Sequence, residues 1–203
     1  PNVVFLLLDT LRADRMYAER NGVPLTPFLS QLAGNALYFK HAITPCSWTR
    51  PAMASLFTSV YVDTHGVYYG AKGAKKNKME TSDRLLEDFE TMAEYLQGHG
   101  YDTWAYQTNA NLRPDVGFAQ GFAPEDYLFH NNERADKVTR ASLEAMEGLE
   151  EPFLLYAHYM DPHTPYEAPK RYLNLLGPEL PITPTDRKHL SKDRKSTRLN
   201  SSH

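Results

Sequence analysis

The sequence predicts an α/β fold, a mainly parallel central sheet with helices on both faces. Three observations carry that expectation. Short apolar runs rich in β-branched and aromatic residues, "NVVFLLLD", "YDTWAYQT" and "PFLLYAHYM", alternate with stretches of helical periodicity. Strands alternating with helices imply right-handed crossovers and parallel pairing. Polar, chemistry-bearing residues close the first and last of these runs, Asp9 after one and Asp161 to His163 after the other, at the carboxyl edge where such sheets hold ligands. A chain of 203 residues, 41% hydrophobic and 23% charged, is long enough to bury one sizeable core, and it shows no internal repeat.

The elements follow in order. "NVVFLLLD" is nearly continuous in apolar residues, so it reads as a buried parallel strand with Asp9 at its tip. "LTPFLSQLAGNA" reads as a helix with Thr26 as N-cap and Pro27 at the first helical position. "ALYFKHAIT" has the composition of a second strand. In "RPAMASLFTS" Pro51 falls in a first helical turn, where its missing N–H does no harm, and this places Thr49 and Arg50 at a helix N-terminus. "YGAKGAKKNKMETSD", with four lysines, reads as a solvated loop. "LLEDFETMAEYLQGHG" is an amphipathic helix closed by Gly98 or Gly100. The strand "YDTWAYQT" follows, then the helix "NERADKVTRASLEAMEGL" with Val138, Ala141, Ala145 and Met146 on one side. The strand "PFLLYAHYM" ends at "DPHTPY", and His158 within it reads as a core or strand-face residue.

Several function classes are excluded or left open by composition. No run approaches the roughly 18 apolar residues of a membrane span. The net charge of -3 argues against a general nucleic-acid binder. A single cysteine, Cys46, forms no internal disulfide, and neither redox compartment nor localisation can be read. Pro1 opens directly onto a core strand, so the expected start of the protein lies upstream. "DRKSTRLNSSH", Asp193 to His203, lacks apolar periodicity and back-translates codon for codon into a common sequencing-library adapter. The expected organisation is therefore one native domain part, 1–192, followed by a non-native tail, 193–203.

Three segments could share one site at the sheet edge. Asp9 is a hard oxygen donor suited to a cation, or else a cap for its turn or a partner for Arg12. Thr49 lies where free N–H groups and the helix dipole favour an anion, as an oxygen nucleophile or simply as an N-cap. His163, held between two prolines, could ligate a metal, donate to an anion, act as an acid, or serve as a structural histidine.

Together the segments resemble the sulfatase branch of the alkaline phosphatase superfamily. "PNVVFLLLDTLRAD", "SWTRPAMASLFTS" followed by "HGV", "GYDTWAY" and "PFLLYAHYMDPHTPYEAP" stand in that family's order and approximate spacing, covering Pro1 to about Pro169. The resemblance implies an N-terminal part of a sulfatase-like catalytic domain, in which Asp9 ligates a divalent cation. A second Asp often follows it in the family; here Thr10 stands there. Family members carry Cys or Ser, any residue, Pro, any residue and Arg, with the Gly of Leu-Thr-Gly six residues after the Arg. Counting back from "LFTS" places Thr49 at the nucleophile, Pro51 at the proline and Met53 at the arginine. The alternative nucleophile, Cys46 with Arg50, has Trp48 at the proline. Thr cannot become formylglycine, but phosphodiesterases and phosphoethanolamine transferases of the superfamily use an unmodified Thr. The Lys that sulfatases carry after the "GY-x-T" strand is replaced by Gln107, Thr108 and Asn109. By the same resemblance Asn109 and Arg50 contact the substrate anion, and His163 contacts substrate or metal. The implied function is metal-dependent hydrolysis of sulfate or phosphate esters borne on a small molecule, glycan or lipid. Calcium or magnesium would serve a sulfatase type, zinc or manganese a phosphoesterase type. A phosphodiesterase or phospho-group transferase, or a non-catalytic sulfatase-like domain, are the alternatives. The family's later "Asp-x-His-Gly" metal motif does not occur, so this polypeptide is expected to be inactive as written.

Overall fold

The structure, a computed structural model, describes residues 1–68, 84–164 and 168–176. The lysine-rich loop and the proposed tail 193–203 lie outside the described residues. Contacts divide the chain into two units: one of 1–13 and 33–167, the other of 14–32 and 168–203.

The larger unit is built on a four-stranded parallel sheet. Its strands are β1 (Val3–Leu8), β4 (Asp102–Gln107), β5 (Tyr127–Phe129) and β6 (Phe153–Tyr159), in the order β1-β6-β4-β5. The helices are α2 (Thr49–Thr58), α3 (Val62–His65), α4 (Met92–Gly98) and α5 (Ala135–Met146). The strand period of two sends alternate residues to opposite faces, and each face gathers its own core. On one, Met53, Ala54 and Phe57 of α2 pack with Ala105, Tyr127 and Tyr156 and with the partly buried Phe5 and Leu7. On the other, Val138 of α5 packs with Trp104, Tyr106, Phe153, Leu155 and Ala157, joined by Ala141 and Ala145. This is the predicted two-faced α/β architecture.

The smaller unit holds the hairpin of β2 (Glu19–Arg20) and β3 (Val23–Pro24), most of α1 (Pro27–Gly34), and α6 (Lys170–Leu175). The hairpin turn is Asn21-Gly22, with φ of 52° and 76°. Two positive φ values are what a two-residue turn needs to match strand twist, and Asn-Gly supplies them cheaply. Asn21 Nδ2 also donates to the Leu176 carbonyl at 2.7 Å.

Four sequence expectations change. Among the described residues β1 is an edge strand, and it is only half buried: Val4 and Leu6 are 46% and 49% exposed, while α5 packs chiefly on β6 and β4. "ALYFKHAIT" forms no strand; it runs as irregular chain with Leu37, Phe39 and Ile43 exposed. The helix expected over 85–100 is confined to Met92–Gly98, because Thr91 caps it. Thr91 Oγ1 accepts from Glu94 N–H while Glu94 accepts from Thr91 N–H, a capping box legible in "TMAE". Met146 of α5 is 38% exposed rather than core.

Candidate active site

The site lies at the carboxyl end of the sheet, in the larger unit. β1 ends at Leu8, and Asp9 N–H donates to the carbonyl of Tyr159, the last residue of β6, at 2.9 Å, extending the parallel ladder one residue past β1. Asp9 therefore points to the α2 side, as Phe5 and Leu7 do. Thr10 follows with φ of 58°, a left-handed conformation costly for a β-branched residue and characteristic of functional turns. Its hydroxyl donates to the Pro162 carbonyl at 3.1 Å, tying the tip of β1 to the turn that carries His163. Thr10 thus joins two parts of the site through a backbone contact.

Helix α2 presents Thr49. Its N-cap is Trp48, in extended conformation and without a side-chain cap bond. Thr49 is the first helical residue, so it is not the cap; its hydroxyl reaches Asp9 Oδ2 at 3.4 Å. The helix is held in place by packing deeper in the core. Phe57 meets Tyr156 edge-on, centroids 5.3 Å apart, a contact worth about 0.5–1.5 kcal/mol beyond burial alone. At the far end Ser55 Oγ lies 2.9 Å from His65 Nε2, and His65 Nδ1 accepts the Val67 N–H at 3.1 Å. A backbone N–H can only donate, so His65 carries its proton on Nε2 and donates to Ser55. Burial pushes the His65 pKa down, a bond to the Pro51 carbonyl offsetting only part of this.

Asp9 is 8% exposed and is the hub of the site. Its Oδ2 accepts from Asn109 Nδ2 at 2.7 Å and faces His158 Nε2 at 3.2 Å, besides the Thr49 hydroxyl. Burial pushes the carboxyl pKa up, but His158 above all, through its bond and its electrostatic effect, then the Asn109 bond and the electrostatic effect of His163, outweigh it and hold the group below the usual carboxylate value. A cavity of about 990 Å³ opens in front, lined by Asp9, Thr10, Cys46, Thr49 and His163, with Trp48 and Tyr61 among its walls. His163 Nδ1 is 2.8 Å from the Thr164 carbonyl, which can only accept, so Nδ1 carries a proton and donates to it.

The six residues singled out from sequence thus separate into two groups. Asp9, Thr49, His163 and the alternative nucleophile Cys46 line one cavity. Thr49 has a bond to Asp9, whereas the bond found at Cys46 is to its backbone carbonyl, from Thr44. Arg50 and Asn109 are buried at 1% and 4% exposure and are not among the lining residues. Arg50 Nε donates to the Asn111 carbonyl at 2.8 Å, fastening α2 to the 3-10 turn Ala110–Leu112. Asn109 serves Asp9. Sequence reading placed His158 in the core or on the strand face but missed its bond to Asp9 and, behind it, the part played by Tyr156 and Gln107. Their signal was polarity inside an otherwise apolar buried strand.

For a divalent cation the donors fit in kind: a carboxylate with a lowered pKa and a histidine line the same cavity. In number they form only part of a site, since among the described residues no three of His, Cys, Asp and Glu converge on one point.

Comparison with known proteins follows the same lines. The family model described as Sulfatase matches residues 1–182. An uncharacterized sulfatase of Escherichia coli K12, YidJ, is 26% identical over 203 aligned residues, covering 85% of this chain and 40% of the relative. The solved complex of BT4656 with its substrate D-glucosamine-2-N,6-O-disulfate superposes with a TM-score of 0.65 at 18% identity, over 90% of this chain and 39% of that one. A phosphonate monoester hydrolase of Agrobacterium radiobacter gives a TM-score of 0.58 at 18% identity, over 92% and 44%. The chain thus spans about 40% of the length of the curated relative.

Proposed function

Because the chain belongs to the sulfatase family, we propose that its protein is a metal-dependent hydrolase of sulfate or phosphate esters, with Thr49 as nucleophile and His163 as its partner across the cavity. The observation that carries this reading is the Thr49 hydroxyl, at a helix N-terminus, within hydrogen-bond reach of the buried Asp9 carboxylate. An ester drawn into the cavity would set its negative oxygens against the first turn of α2, where the positive end of the helix dipole favours an anion. Thr49 Oγ would bond to phosphorus or sulfur as the bond to the ester oxygen breaks. The nearest acceptor for the Thr49 proton is Asp9 Oδ2. His163, protonated on Nε2 as well as Nδ1, would supply a proton to the departing alcohol. A divalent cation at Asp9 would supply charge neutralisation and lower the nucleophile's pKa.

The substrate class takes support from two directions. The sugar disulfate held by one structural neighbour favours a sulfated glycan. A second reading, phosphoryl transfer through an unmodified threonine, is favoured by Thr49 itself, which cannot be converted to formylglycine, and by a phosphonate hydrolase among the neighbours. The test is hydrolysis of nitrophenyl sulfate and nitrophenyl phosphate by the full reading frame that contains this chain. Thr49→Ala should abolish turnover, by a factor of about 10³ or more, while Cys46→Ala leaves it nearly unchanged. The reverse pattern would return the nucleophile to Cys46. Absence of turnover with both esters, with and without added cation, would favour the non-catalytic reading.

A further inference from the structure

We propose that His158 is a positioning residue of this site: in its neutral, Nε2-protonated form it fixes the Asp9 carboxylate, and a hydrogen-bond relay through Tyr156 and Gln107 imposes that form. The proposal rests on the reading of Asp9 as a cation-facing carboxylate, but its internal logic needs only proton directions. Two backbone N–H groups start the relay, because neither can accept. The Asn109 N–H lies 2.7 Å from Gln107 Oε1, which assigns the oxygen of that amide and turns Nε2 toward Tyr156 Oη at 3.4 Å. The Asn111 N–H lies 2.9 Å from Asn109 Oδ1, which likewise turns Asn109 Nδ2 onto Asp9. Tyr156 Oη accepts a hydrogen bond from Gln107 Nε2, and its own O–H goes to His158 Nδ1 at 2.7 Å. His158 Nδ1 is therefore the acceptor and Nε2 the donor, directed at Asp9 Oδ2. The opposite tautomer, or an imidazolium, would aim a second donor at Tyr156 Oη and leave the tyrosine proton without an acceptor among these groups.

The consequence is a carboxylate with one committed oxygen. Asp9 Oδ2 takes N–H bonds from His158 and Asn109, from two different strands' ends, which pins the side-chain rotamer and leaves Oδ1 outside these bonds. All members are buried, His158 and Gln107 at 0% and Tyr156 at 1% exposure, so water does not compete for them. Outer partners of this kind orient a ligand and raise cation affinity without touching the cation.

The experiment is a long-range proton–nitrogen correlation spectrum of the histidine-labelled 203-residue chain, with the signals of His158 assigned by Tyr156→Phe and His158→Gln. His158 should show the neutral Nε2–H pattern, and Tyr156→Phe should shift its Nδ1 signal. The side-chain couplings of Asp9 should report one rotamer in the wild type and in His158→Gln, whose Nε2 can replace the imidazole donor. They should report averaging in His158→Leu. Titration with calcium chloride alone gives the second readout: His158→Leu should weaken binding about 10- to 100-fold, and His158→Gln should restore most of it. An Nδ1–H or doubly protonated His158, or an Asp9 rotamer indifferent to His158→Leu, would overturn the relay. A wild-type chain with the expected tautomer and rotamer but no calcium response would leave the relay standing and show that the donors of this chain do not by themselves hold the cation.

Discussion

At the scale of single residues, the site depends on which oxygen or nitrogen each side chain has left after its local bonds are met. Asp9 carries the consequence most directly. Its carboxyl pKa lies below the usual value, so the folded state binds a proton there less readily than the unfolded chain. Its stabilising bonds are therefore complete above the unfolded value, near 3.9, and are lost as pH falls through the lower folded value. Asp9→Asn removes the charge but keeps the shape. It sets an amide against the donors of Asn109 and His158, and so should cost stability of about 1–3 kcal/mol, read as a lower midpoint of urea unfolding at pH 7. An unchanged midpoint would mean that these bonds contribute nothing net. Thr10 shows the same economy: where family members often carry a second Asp, this chain spends a hydroxyl on the Pro162 carbonyl and accepts a left-handed backbone to do so.

At the scale of elements, α2 is the part that converts packing into chemistry, and its two ends behave differently. The N-terminus holds Thr49; the C-terminus is closed by Ser59 in a left-handed conformation, φ of 58°. Glycine adopts that conformation without strain, whereas a side chain there costs roughly 1–2 kcal/mol. Ser59→Gly should therefore stabilise the chain by about 0.5–1 kcal/mol after the entropy of a more flexible unfolded state is counted, measured by thermal unfolding. His65, which holds α3 against α2, supplies a pH dependence of the same sign at a higher pH. Its folded pKa lies below the ordinary histidine value, so its contribution is present above about 6.5 and is lost as pH falls below it. The unfolding midpoint should drop between pH 7 and pH 5 in the wild type and drop less in His65→Gln; equal slopes would remove His65 from the account. Much of this level was legible in the sequence. The three long strands, α2 with Pro51 in its first turn, and the convergence of Asp9, Thr49 and His163 follow from periodicity and helix-start chemistry. What was not legible has physical causes. β5 is only three residues long, too short to show a period. "ALYFKHAIT" has strand composition but pairs with no strand among the described residues. His158 is a polar residue whose partner lies 149 positions away, and only strand register brings them together.

At the scale of the molecule, the sheet is covered unevenly, and this sets the last expectation. β1 pairs with β6 in register from Val3 opposite Leu154 to Leu8 opposite Tyr159. On the α2 face its residues Phe5 and Leu7 join the core, but on the α5 face Val4, Leu6 and Leu8 are left 46%, 49% and 36% exposed. Leu37, Phe39 and Ile43 add exposures of 82%, 70% and 90% on the irregular chain that leads to the site. Exposed apolar area of this extent is uncommon on a monomer, and an apolar edge strand adds unpaired N–H and C=O groups beside it. The 203-residue chain should therefore bind a hydrophobic dye while folded and should associate at micromolar concentration. Replacing Val4 and Leu6 with threonine keeps the strand propensity and removes apolar surface, so dye binding should fall and light scattering should move toward the monomer, with the parallel register intact. Catalytically the same polypeptide should be silent on both nitrophenyl esters, because the described residues offer only a partial set of cation ligands around Asp9. Metal-dependent turnover by the isolated chain would show that the donors this chain carries around Asp9 suffice to hold the cation.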